Sequence, residues 1–169
     1  MKKIILSFLL AGSLLSAGSL VQVGAGYAKG DKDADIGTAF IETSLFTTVG
    51  LRLEYSKNLS EHPEFTKEDI TRYGLFATYT LPLTSSFSVT PKVGLTKIDG
   101  EFTLKDDATR VTDSSTNFTY GLEANYHYND FVSLFVGYTD YGNKFDDIKD
   151  VKSSELDSQN YTVGIKLDF

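Results

Sequence analysis

Seven charged side chains stand at spacings that could let them do chemistry together: Arg52 and Glu54, Arg72, Lys92, Glu123, and Lys166 and Asp168. Each sits in a run where apolar residues alternate with small or polar ones, and this period of two places all seven on the polar faces of β-strands. Four bases against three acids is close to the balance that charges withdrawn from water require, because an unpaired buried charge is costly. Such a set is either an internal ion-pair plug or a gate that swaps partners and lets ions pass. A narrow barrel favours the plug, since eight strands leave an interior only wide enough for side chains.

An enzyme would need a base beside a nucleophile, and the chain offers two histidines. His62, next to Pro63, reads as a solvated loop residue. His127 lies between Tyr126 and Tyr128 at a strand end, with Ser133 on the following strand, and reads as a structural histidine. The absence of cysteine removes disulfides, thiolate metal sites and thiol nucleophiles together. Asp31-Lys32-Asp33-Ala34-Asp35 begins like a calcium loop but lacks its glycine and distal glutamate. Asp106-Asp107 and Asp146-Asp147 read as solvated loop charge. We therefore expect no catalytic residue, no resident metal and no cofactor.

The elements that must position these residues are strands. Lys2 and Lys3, an apolar run over 4–10 and small residues up to Ser19 read as a secretory signal over 1–19, cut after Ala17 or Ser19. That run is shorter than the ~20 residues of a spanning helix. Residues 20–169 remain as one domain. Losing the two lysines takes the net charge from −7 to about −9, which argues against nucleic acid as a partner.

Alternation marks strands at 20–28, 70–81, 87–98, 116–128, 131–141 and 161–169, with 36–55 long enough to be a hairpin turning near Phe46-Thr47-Thr48. Its first arm is ambiguous, because Phe40 and Ile41 compete for the apolar face. Pro91 removes one donor from its ladder. Long connections at 29–35, 56–69, 99–115 and 142–158 alternate with short ones at 82–86 and 129–130. Splitting 36–55 gives an even count of eight, as a barrel with both termini on one side demands.

Alternation alone leaves open which face is wet. Aromatic residues lie near both ends of the apolar face, with Tyr27, Tyr55, Tyr73, Phe118, Tyr138 and Tyr161 at the loop end. Phe87, Tyr126, Tyr128 and Phe169, joined by Leu81, lie at the turn end. Glycines recur midway along the polar face, where a crowded interior suits them. Both features favour apolar side out.

The closing run Tyr161-Thr162-Val163-Gly164-Ile165-Lys166-Leu167-Asp168-Phe169, behind an export signal, resembles the last strand of bacterial outer-membrane β-barrels, and the mature chain resembles their small OmpA, OmpX and opacity type. The resemblance implies an all-β, eight-stranded antiparallel up-and-down transmembrane barrel with periplasmic termini and extracellular loops. It implies that Tyr161 and Phe169 belong to an assembly signal read by the barrel assembly machinery, and that the seven charges form the lumen network. Outer-membrane lipid and lipopolysaccharide are the implied surroundings. The implied role is structural or adhesin-like, with a host or cell-surface ligand met by the loops; the alternative is a small porin passing ions or small solutes. The local pattern of outer-membrane lipid A deacylases is not found in Tyr126-His127-Tyr128-Asn129.

Overall fold

A computed structural model describes residues 21–30, 35–59, 65–104, 110–142 and 159–169. The expected signal peptide, His62 and the Asp31, Asp33, Asp106-Asp107 and Asp146-Asp147 carboxylates lie outside those residues. Eight long strands follow one another: β1 Val21–Gly30, β2 Asp35–Ser44, β3 Val49–Asn58, β4 Phe65–Tyr79, β5 Phe87–Leu104, β6 Arg110–His127, β7 Val132–Asp140 and β8 Gln159–Asp168. Leu81–Pro82 is a two-residue continuation of β4. Every strand pairs antiparallel with its sequence neighbours, and β8 returns to β1, with Gln22 opposite Asp168 and Gly30 opposite Asn160. The sheet is therefore a closed barrel without edges.

The stretch 36–55 is a hairpin, turning over 45–48 with Leu45 N–H donating to Val49 O at 2.8 Å. Phe40 faces inward and Ile41 outward, which settles their competition. Two connections are shorter than the polar composition implied. β4 begins at Phe65, β5 runs to Leu104 and β6 starts at Arg110, with Phe102 paired to Val111. Pairing there satisfies the backbone, and Thr and Val suit a strand; the polar side chains hid it. Pro91 coincides with a real break: the β4–β5 ladder stops at Thr78↔Lys92 and resumes at Leu81↔Val89. Thr80 N–H instead donates to Thr48 O at 2.7 Å.

The two faces are inverted relative to a water-soluble barrel. Leu53, Leu95 and Val136 on the outside are 53%, 56% and 57% exposed, whereas Arg52, Glu123 and Lys166 inside are 0%, 3% and 2% exposed. Rings pair across strands on the outer face at both ends. Tyr55–Tyr73 and Tyr138–Tyr161 have centroids 5.4 Å apart at the loop end, and Phe87–Tyr126 are 5.1 Å apart at the turn end. An apolar outer belt between aromatic rows is what a lipid solvent selects. Inside, the Phe40 ring occupies the place a Cβ on Gly24 would take, and the Phe76 ring that of a Cβ on Gly74. Glycine there lets bulky rings lie flat against the wall of a narrow tube.

Candidate functional site

Because side chains alternate along each strand, one inward position recurs every second residue, and charges from five strands converge on one layer of the lumen. Arg52 on β3 is its hub. Its Nε donates to Glu42 Oε2 on β2 at 2.7 Å, and its Nη2 donates to Glu123 Oε2 on β6 at 3.0 Å. A second bond joins Nη1 to Glu123 Oε1, making the pair bidentate. Glu54 lies 3.8 Å from Arg52 and accepts from Lys92 Nζ at 2.7 Å. Lys166 Nζ donates to Glu123 Oε2 at 2.7 Å, and the Thr78 hydroxyl donates to Glu42 Oε1 at 2.7 Å.

Three carboxylates thus meet three cations, and the layer is neutral. Aromatic rings fill the rest of it. The Arg52 guanidinium lies 4.0 Å from the Phe40 centroid, Lys92 Nζ 4.8 Å from Phe76, and Lys166 Nζ 5.1 Å from Phe135. Phe40 and Phe135 meet edge to face at 5.8 Å. These contacts place cations over the negative faces of rings and compensate part of their lost hydration.

Of the seven charged residues singled out in the sequence, Arg52, Glu54, Lys92, Glu123 and Lys166 come together here. Arg72 stands apart toward the loop end, donating to Asn58 Oδ1 at 2.8 Å with its guanidinium 5.3 Å from the Tyr141 ring. Asp168 stands at the turn end, accepting from Gln22 Nε2 at 2.6 Å and from the Ser133 hydroxyl at 3.4 Å. Ser133 lies 2.9 Å from His127 Nδ1, and Ser88 lies 2.9 Å from Nε2. The histidine is thereby tied to β5 and β7, and through Ser133 to β8 and β1. Tyr161 and Phe169 face outward at opposite ends of the last strand, and Phe169 N–H donates to Val21 O at 2.8 Å where the barrel closes.

Glu42 and Phe40 are the members that sequence reasoning missed. The signal was parity: once Phe40 is inward, Glu42 must be. Also unforeseen are three buried side chains toward the loop end, Thr96, Thr119 and Asn160, whose polar atoms have no partner. A desolvated, unbonded hydroxyl costs about 1–3 kcal/mol. Replacing Thr96 and Thr119 together by valine should therefore stabilise the barrel by about that amount for each hydroxyl removed, read as a higher urea midpoint for unfolding from lipid vesicles; a lower midpoint would show that the hydroxyls are satisfied.

With apolar residues outside and a neutral charged layer inside, the comparison with known proteins falls in one place. The model of the outer membrane protein β-barrel domain matches residues 7–169. The chain belongs to that family. Among solved structures, this outer-membrane barrel is similar to the N-terminal β-barrel domain of Pseudomonas aeruginosa OprF, with a TM-score of 0.70 at 16% identity over 89% of this chain and 97% of that one. It is similar to Neisserial surface protein A, with a TM-score of 0.60 at 15% identity over 90% and 98%. It is also similar to Ail, the attachment invasion locus protein of Yersinia pestis, with a TM-score of 0.55 at 14% identity over 89% and 97%. At such identities the likeness speaks for the fold alone. No curated protein matches the chain in sequence.

Proposed function

We propose that this outer-membrane barrel keeps its lumen shut and acts at the cell surface through its extracellular loops, in a structural or adhesin-like role. The observation that carries this reading is the neutral layer around Arg52: its six charges pair among themselves, and Arg52 and Phe76 are out of reach of water. In this reading residues 1–19 are removed on export, and the β8 strand with Tyr161 and Phe169 is presented to the assembly machinery. Ail has been captured with the heparin analogue sucrose octasulfate, so a barrel of this shape can offer its surface to an outside ligand. Here the stretches 56–69, 99–115 and 142–158 carry more acids than bases. They suit a cationic partner, or lipopolysaccharide and host surfaces bridged by divalent cations.

Display of the barrel on a non-adherent bacterium tests this. Replacing 143–158 and 105–109 by short turns should abolish adherence to host-cell monolayers, while the heat-dependent gel shift of a folded barrel persists. Chelating divalent cations should lower both adherence and the barrel's melting temperature. Adherence unchanged by either treatment would remove the surface role.

The porin reading has one observation in its favour: Glu123 serves both Arg52 and Lys166, and Glu54 faces both Lys92 and Arg52. Shared acceptors are what a partner-swapping gate would need.

A further inference from the structure

On the outer face, the apolar belt has an upper edge. One outward step above the aromatic or aliphatic row toward the loops stands a polar side chain, Lys29, Lys57, Thr71, Lys97, Thr116 or Asp140, and only on β3 among these does an exposed apolar residue, Leu59, follow it among the described side chains. Below that edge the apolar rows fall short of a full band: those on β5 and β6, Phe87 to Leu95 and Phe118 to Tyr126, give about 20 Å of height at a tilt of about 40°, and others are shorter. On β3 the outward row runs Val49, Leu51, Leu53, Tyr55, which is about 20 Å along the strand at about 3.3 Å per residue. A tilt of about 40° reduces this to about 15 Å of height, against the band of about 25 Å usual for outer-membrane barrels. The row on β7 from Val132 to Tyr138 has the same length. Since the upper edge is fixed, the missing height has to be found at the turn end.

The turns there have the composition to supply it. Leu45, Phe46, Leu83, Tyr128, Phe131 and Phe169 project from the three short turns and the final residue, with Phe46 73% and Phe131 69% exposed. They stand at the turn ends of the lipid-facing rows, and residues 45–48, 80–86 and 128–131 contain no lysine or arginine and one acid, Asp130. Three hairpin tips bearing large apolar residues are out of place in water. We propose that these turns are part of the membrane-contacting surface: the barrel sits with its turn tips immersed in the leaflet on that side, and the occupant of this apolar end is lipid. This rests on the family's outer-membrane placement.

The chain has no tryptophan, so one introduced indole reports its own surroundings. The variants Phe46→Trp, Leu83→Trp and Phe131→Trp would be refolded into phosphatidylcholine vesicles with brominated acyl chains, folding being verified by the heat-dependent gel shift. Leu53→Trp serves as the lipid reference and Thr116→Trp as the water reference. The expected result is blue-shifted emission, quenching by acyl-chain bromine approaching that of the Leu53 reporter, and weak quenching by acrylamide. Red-shifted emission quenched by acrylamide and not by bromine would overturn the proposal, leaving an apolar face in water for a protein partner to cover. Loss of bromine quenching at Leu53→Trp itself would instead overturn the membrane placement on which the proposal rests.

Discussion

Replacing Arg52 by methionine is expected to destabilise the barrel by about 3–5 kcal/mol, the usual consequence of stranding buried partners of a removed charge. Among the described residues Arg52 is the salt-bridge partner of Glu42, which would keep only the Thr78 hydroxyl as a hydrogen-bond donor, while Glu123 would keep Lys166. The layer would pass from neutral to a net negative charge held away from water. Adding Glu42→Gln restores neutrality, so the double variant should recover a good part of the loss. A cycle of the two single variants and the double one, read by urea unfolding in vesicles, isolates that coupling. Equal, additive losses would mean that Arg52 and Glu42 do not depend on each other.

Val136→Arg is the second large effect. This side chain is 57% exposed on β7, in register with Ala124 on β6 and Val163 on β8 on the outer belt. In a water-soluble barrel an arginine there would change stability by no more than about 0.5 kcal/mol. Facing the bilayer midplane it should cost about 2–4 kcal/mol. Folding into vesicles of increasing acyl-chain length measures it: the penalty should grow with bilayer thickness. A penalty near zero in all of them would return the outer face to water.

Most of the architecture could be read from the chain because each strand answers to two different solvents, lipid on one side and the lumen on the other. Leu51-Arg52-Leu53-Glu54-Tyr55 shows both demands in five residues. Where one demand lapses, legibility lapses with it. Residues 99–104 and 110–115 extend β5 and β6 beyond the belt, where no lipid selects apolar side chains, and their polarity read as loop. The β2 arm was obscure because Phe40 faces the lumen, filling space over Gly24.

The charged layer was legible as a set of residues but not as a geometry. Arg52 and Glu123 lie on β3 and β6, which are not neighbours, so their contact depends on how the strands tilt and stagger around the barrel. Counting along the strands alone sets Arg52, Glu54 and Arg72 near the loop end and Lys92 with Glu123 nearer the middle. The closed sheet brings Arg52 down to Glu123 and leaves Arg72 with Asn58 and Tyr141. Glu42, hidden by the uncertain parity of its strand, is the partner that makes the layer neutral.

Planar-bilayer conductance of refolded residues 20–169 tests the shut lumen most directly, using material whose gel mobility shifts on heating so that a failed fold cannot pass for a closed pore. The account predicts silence from the folded barrel, with the current across the membrane unchanged by its insertion. Discrete steps whose size or frequency changes when Arg52 or Glu123 is neutralised would contradict it, and would make the charged layer a gate.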